Sequence, residues 1–349
     1  MAILQQSYRH FEQWFSAKLA GRRIPVTGML ELTPECNLHC AHCYLGDMRA
    51  ASPGMETAFV CDLLRQISAA GCFAISFTGG EPLLRPDYRK IHQTAHRLGF
   101  WINLLTNGVL IDASFVRFLS EFPPRAVEVS LYGGNADTYG AITGNPAAFE
   151  TVCRNIDTMR DADINVVLKS VLLGPVLDSL DEMRGFARQR GMEILFDAGV
   201  TPDLSGDFRP TELRLAPACA VDIELDSARK EALLKAYHLR TRQTTHVDGF
   251  ACGAGQRGFH VDYKGNLLPC LMLREPAFDL IHRYSFQEAW EAMGKMDRPA
   301  FPESSRCCHC DIQHLCGFCP GTVACGEQPP VTSDTFYCEV AQARLKKLL

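Results

Sequence analysis

Short apolar runs recur through the first two hundred residues, separated by amphipathic stretches. Strands are predicted at 27–33 (TGMLELT), 74–78 (AISFT), 102–106 (INLLT), 126–131 (AVEVSL), 165–172 (NVVLKSVL) and 193–198 (EILFDA). Between them, apolar positions at helical spacing mark 57–70 (TAFVCDLLRQISAA), 86–98 (PDYRKIHQTAHRL), 112–121, 147–160 and 178–190. Regular alternation of strand and helix predicts a parallel α/β fold, here a partial (β/α)6 TIM-like barrel. Six units do not close a barrel of eight, and the chemistry of such barrels gathers in the loops after the C-terminal ends of the strands.

Near residue 200 the alternation stops. TPDLSGDFRP reads as loop, 218–242 as one or two helices, and a cysteine-rich part begins at 252. The expected division is an N-terminal helical extension (1–26), the partial barrel (27–215), a helical linker (216–251) and a small cysteine-rich domain (252–349). The last is poor in periodic apolar segments and is expected to need metal to fold. Among 349 residues, 47% hydrophobic and 21% charged, no apolar run approaches the roughly 20 needed to span a bilayer. The opening MAILQQSYRHFEQWF lacks the basic start and apolar core of a secretory signal, so a cytoplasmic protein is expected. A net charge of −5, with no Lys/Arg cluster, predicts neither a nucleic-acid nor a membrane partner.

The sixteen cysteines change the picture, since nine of them lie beyond residue 250. In a reducing compartment, close cysteine spacings point to metal or redox chemistry rather than disulfides. ELTPECNLHCAHCYLGD places Cys36, Cys40 and Cys43 as C-x3-C-x2-C directly after the first strand. A four-iron cluster takes four thiolates, so a loop offering three leaves one iron open to a small molecule. A zinc site completed by His39 or His42 is the alternative. The second strand ends in SFTGGEPLLRPD, where Gly79 and Gly80 remove side chains and Glu81 and Pro82 add a carboxylate and a rigid turn. An ordinary strand-to-helix turn accounts for the glycines and proline but not for the acid.

Together these two motifs resemble the radical S-adenosylmethionine (SAM) superfamily. The resemblance implies that Cys36, Cys40 and Cys43 hold a cluster whose open iron chelates SAM, and that Gly79, Gly80, Glu81 and Pro82 receive the methionine amine. Reductive cleavage, fed by an external one-electron reductant, then yields a 5′-deoxyadenosyl radical that takes hydrogen from the substrate. Asn107, Ser130 and Lys169 resemble the rest of the SAM shell, and His42 stands where many relatives carry an aromatic. Asp197 and Tyr132 follow barrel strands closely and are candidates to reach the substrate.

Cys252, Cys270, Cys307, Cys310, Cys316, Cys319, Cys325 and Cys338 resemble the ligands of a SPASM domain, which implies two auxiliary four-iron clusters and three [4Fe-4S] clusters in all. Cys307, Cys310, Cys316 and Cys338 match the second auxiliary cluster. Cys252 and Cys270 match the first, with Cys319, Cys325 or both completing it. A zinc ribbon is the alternative. Gly253, Gly255 and Gly258 fit G-x-G-x-x-G, but FHVDYKGNLLPC behind them reads as strand, turn and strand, whereas a dinucleotide fingerprint opens a helix. Cys61, Cys72 and Cys153 are expected in the core, as small hydrophobes.

SPASM relatives modify peptides, so the expected reaction is crosslinking, excision or epimerisation of a ribosomally made precursor peptide. With only some thirty residues before the first strand, a separate leader-peptide-binding protein is expected. A sulfatase-maturing enzyme is disfavoured, because such relatives carry an Asp base where this chain has Leu271. A peptide-derived quinone cofactor enzyme shares the layout, and a non-catalytic iron–sulfur or zinc protein is the reading from another class.

Overall fold

The computed structural model describes residues 22–46, 54–225, 234, 253–296, 306–319, 321 and 335–348. The expected N-terminal extension up to residue 21, most of 226–251, and both Cys252 and Cys325 lie outside them.

Strands β1 (Thr27–Glu31), β2 (Ala74–Thr78), β3 (Trp101–Thr106), β4 (Ala126–Ser130), β5 (Val166–Val171) and β6 (Ile194–Asp197) pair in parallel and in sequence order. Helices α1 (Thr57–Ala69), α2 (Tyr88–Arg97), α3 (Ala113–Glu121), α4 (Ala136–Thr143), α5 (Ala148–Asp161) and α6 (Leu180–Gln189) connect them. Strand β7 (Gly258–Val261) joins β1 in parallel, and β8 (Asn266–Leu268) and β9 (Phe278–Asp279) follow antiparallel. The result is one nine-stranded sheet, ordered β6-β5-β4-β3-β2-β1-β7-β8-β9.

Alternation along the strands decides which face is which. Leu30, Phe77, Leu104, Val127, Val129 and Leu168 are wholly buried in the core shared with the helices. On the other face stand Met29, Ser76, Asn103, Glu128, Ser130 and Lys169, none of them fully buried. A closed barrel fills this interior with branched aliphatics; the polar side chains here line an open concave surface.

Helix α4 was not predicted. Its eight residues form because Asn135 caps the start, its side chain accepting from the Thr138 N–H at 3.0 Å, and Gly144 ends it at φ 74°. Only Tyr139, Ile142 and Thr143 are buried along it, too few for a periodic signal.

The first part of the cysteine-rich tail shares the barrel's core. Phe259, Val261, Leu267, Phe286, Trp290 and Met293 join the main core, so 253–294 is packed onto the barrel by apolar burial. Helix α8 (Phe286–Gly294) starts at a capping box between Ser285 and Glu288, and the Arg23 guanidinium lies 3.8 Å over the Trp290 ring. A second small core unites Val221 and Leu225 of α7 (Pro217–Leu225) with Leu315 and with Val340 and Ala341 of α9 (Thr335–Leu348). Arg344 fastens it, donating to Glu224 at 3.0–3.1 Å and to the Leu315 carbonyl at 2.7 Å. The start of the expected linker therefore packs with the tail. Among the described residues, no helix is long and apolar enough to cross a membrane.

Candidate active site

The β1–β2 pairing does not stop at the strand ends. Leu32 N donates to the Thr78 carbonyl, Gly80 N to Thr33 and Glu81 N to Glu35, at 2.8, 2.8 and 2.7 Å. The ladder thus runs to the residue before Cys36. Such proximity requires glycine: a Cβ on Gly79 would lie 2.2 Å from the Thr33 carbonyl oxygen, and one on Gly80 2.3 Å from that of Glu35. Gly79 also sits at φ 144°.

Glu81 is wholly buried and its carboxylate is fully engaged. It accepts from Thr106 Oγ1 at 2.9 and 3.0 Å, from Asn107 N at 2.8 Å and from Leu83 N at 3.0 Å. The acid that an ordinary turn left unexplained therefore has a structural reason: it ties the turn after β2 to the end of β3. Burial pushes its pKa up to about 7, despite these donors.

Cys36, Cys40 and Cys43 are half-buried on one loop. Cys36 Sγ accepts from Leu38 N at 3.4 Å and lies 3.8 Å from Asn107 Nδ2, while burial raises its pKa. The loop backbone is held by α4, with His39 N and Ala41 N donating to the Thr143 and Ile142 carbonyls at 3.0 and 2.9 Å. The Asn107 amide is committed to the same loop, donating to Asn37 Oδ1 at 2.7 Å and accepting from Val109 N at 3.0 Å.

His42 meets Tyr132 edge-on, ring centroids 4.6 Å apart, with its Nδ1 sealed from solvent and unpartnered. Burial lowers the His42 pKa to about 4. Tyr132 lies within electrostatic reach of all three cysteines, and burial holds its phenol above the ordinary value. Hence Asn107 and Tyr132 meet the cysteine loop, Tyr132 through His42, while Ser130 stands at the end of β4. Lys169 is exposed on β5 and ion-paired with Glu128, and Asp197 is exposed at the end of β6, accepting from Gly199 N at 2.8 Å.

His39 is exposed, and among the described residues no three His, Cys, Asp or Glu side chains converge as ligands of one metal ion do. A four-iron cluster takes each thiolate on a different iron, and a single loop carrying three thiols can supply them.

In the tail, Cys307, Cys310, Cys316 and Cys338 line one cavity of about 230 Å³, together with Arg306 and Phe318. That is several times the roughly 30 Å³ share of one water, so the space suits a multi-atom group. Burial pushes the Cys316 thiol up to about 11 and raises Cys338, so metal binding there must release protons. Cys270 Sγ, in the turn after β8, accepts from Leu273 N at 3.3 Å, and Cys319 Sγ accepts from Gly321 N at 3.3 Å. Residues 253–257 lead into strand β7, not into a helix, as expected of GAGQRG. Cys61 and Cys72 are core residues, but Cys153 is only half-buried on α5, because its side of the helix faces Asp157 and Arg190 at the surface.

Sequence reasoning missed a polar group beside this loop: Glu31, Tyr44, His260 and Arg274. Glu31 is wholly buried, and Arg274 donates to both of its oxygens, at 2.8 and 3.0 Å. The only signal was a carboxylate inside an apolar strand.

Residues 30–189 match the model of the Radical SAM superfamily. Among characterised proteins, the chain is 24% identical over 312 residues to the AdoMet-dependent heme synthase of Methanosarcina barkeri, covering 83% of this chain and 89% of that one. It is 26% identical over 304 residues to the mycofactocin maturase MftC of Mycobacterium tuberculosis, covering 82% and 76%. Its fold is similar to that of Streptococcus suis SuiB bound to the precursor peptide SuiA, with TM-score 0.72 at 17% identity over 96% of this chain and 82% of that one. The family implies a [4Fe-4S] cluster and SAM, which the three-thiol loop and its glycine-lined neighbour can accommodate. Residues 30–189 of this chain are a radical SAM domain.

Proposed function

We propose that the protein is a radical SAM peptide maturase, and that Cys36, Cys40 and Cys43 hold the SAM-binding cluster. The observation that carries this reading is the unbroken ladder joining the cysteine loop to Gly79–Glu81 at the C-terminal edge of an open, polar-faced sheet. When bound, the cluster and SAM supply a carbon-centred radical able to take hydrogen from an unactivated position. The chain's own part is positional. Gly79 and Gly80 let two backbones meet, Glu81 locks that junction to β3, and Tyr132 and His42 wall the loop. Lys169, paired with Glu128, offers a cation on the concave face, and Asp197 and Tyr132 are our candidates to meet the substrate.

We further propose two auxiliary four-iron clusters, with Cys307, Cys310, Cys316 and Cys338 holding one and Cys252, Cys270 and Cys319 or Cys325 the other. An external one-electron reductant and a separate leader-binding protein belong to the same proposal. Support for a peptide substrate comes from the likeness to mycofactocin maturase and to the fold of a peptide-bound SuiB. The heme synthase match, over 83% of this chain, favours a second reading with a small-molecule substrate.

Anaerobic reconstitution followed by iron, sulfide and zinc analysis tests the metal assignment. About twelve irons per chain are expected, falling to about eight when Cys36, Cys40 and Cys43 are all changed to Ala; unchanged iron in that variant refutes it. Incubation with SAM, a strong reductant and candidate precursor peptides separates the substrates: a mass change confined to peptide supports a maturase, and turnover of a small molecule alone supports the second reading.

A further inference from the structure

Glu31 closes β1 five positions before Cys36, and Tyr44 follows Cys43 directly. The Tyr44 hydroxyl donates to Glu31 Oε1 at 3.1 Å. Arg274, four positions beyond Cys270, grips the same carboxylate in bidentate fashion. His260 on β7 brings its Nε2 to 3.4 Å from Glu31 Oε2, a contact that the register sets by pairing Met29 with His260. Glu31 and His260 are at most 1% exposed. Burial favours a neutral Glu31, but His260 and Arg274 outweigh it and hold its pKa at about 2.

A buried ion pair contributes little net stability, because desolvation offsets the attraction. Position is the better account. Tyr44 is fixed on its other side as well, its carbonyl accepting from Leu204 N at 2.8 Å. The Cys270–Arg274 turn is tight, with the Cys270 sulfur accepting within it.

We propose that Arg274, Glu31 and Tyr44 are positioning residues, a polar bridge that fixes the SAM-cluster loop against the Cys270 loop and sets the charge felt by the SAM cluster. The proposal rests on the radical SAM reading of Cys36, Cys40 and Cys43 and adds residues that this reading does not include. Arg274 and Glu31 neutralise each other beside the Cys43 loop. Removing one leaves the other's charge, and cluster potentials respond to net charge and nearby hydrogen bonds.

The test compares reconstituted wild type with Arg274→Met, Glu31→Gln, Arg274→Lys and Tyr44→Phe. The SAM-cluster midpoint potential is read by redox titration with electron paramagnetic resonance, and SAM binding by the change SAM induces in that spectrum. Arg274→Met should move the potential negative and Glu31→Gln should move it positive, with iron content retained. SAM affinity should fall about tenfold in Arg274→Met and less in Arg274→Lys. In cluster-free protein, amide exchange across 39–46 should quicken at least tenfold in Arg274→Met and less in Tyr44→Phe, with α5 unchanged. Shifts of the same sign in the two charge variants, or exchange and SAM binding equal to wild type, overturn the proposal. Should Arg274→Met or Glu31→Gln not fold, Arg274→Lys and Tyr44→Phe decide it: wild-type exchange and SAM binding in both overturn it. Wild type that takes up no cluster at this loop refutes the radical SAM reading itself, a different result.

Discussion

Gly80→Ala is the sharpest perturbation of the site that leaves every thiol in place. The added methyl would lie 2.3, 2.5 and 2.6 Å from Glu35 O, Pro34 O and Glu35 C, all backbone atoms that no rotamer change can move. Either the β2 turn or the cysteine loop must retreat, and the Gly80–Thr33 and Glu81–Glu35 bonds break. Overpacking costs about 1–3 kcal/mol and each lost backbone bond about 1 kcal/mol, which places the destabilisation at about 3–5 kcal/mol. At roughly 2 °C per kcal/mol for a chain of this size, the midpoint should fall by about 6–10 °C. Calorimetry on cluster-free protein reads this directly, and iron analysis after reconstitution should show about four irons fewer. Gly185→Ala is the control: it lies within α6 with nothing within 4 Å of the added methyl, so it should stabilise by about 0.5–1 kcal/mol. A Gly80→Ala protein that melts with wild type and keeps its iron would refute the close-approach argument.

The carboxyl of Glu81, with a pKa of about 7, favours the fold in its protonated form. That contribution is full below about pH 4.5 and is lost as pH rises through 7, by up to roughly 3 kcal/mol; Glu81→Gln should flatten this part of the stability-against-pH curve, measured by urea titration of cluster-free protein. Leu315→Ala hollows a small core, with five buried side chains among the described residues, and should cost about 2–5 kcal/mol. Amide exchange should then quicken in α7 and α9 while α1 to α5 stay protected. Replacing Cys307, Cys310, Cys316 and Cys338 together by Ala should remove about four irons and leave the SAM-induced spectral change of the first cluster intact; loss of that change would tie the tail cavity to the SAM site.

Much of the barrel was legible because each strand is a contiguous apolar run and each long helix carries a buried stripe, so predicted and observed ends of β2 coincide and those of α1 differ by one residue. What failed was information that a local window does not hold. Helix α4 owes its existence to two caps and to the cysteine loop it supports. The reason for Glu81 lies 25 positions away, at Thr106. Glu31 meets Arg274 across 243 positions, and neither residue carries a spacing that announces the other. The tail looked too poor in apolar residues to fold by itself because its first half borrows the barrel's core.

That borrowing bears on how electrons could pass between the two halves. Because β7 pairs with β1 residue by residue, Thr27 with Gly258 through Leu30 with Val261, the segment leading to Cys270 starts from the strand leading to Cys36. A flexible linker would let the distance between two redox centres fluctuate, and with it the transfer rate. A shared ladder, closed at its upper end by Arg274 on Glu31, admits no such motion without breaking several buried hydrogen bonds at once. If Cys270 holds the proposed auxiliary cluster, this ladder would keep its spacing from the Cys36 loop constant. The charged bridge and the continuous sheet are therefore two expressions of one design, in which the first half of the tail is built onto the edge of the catalytic barrel.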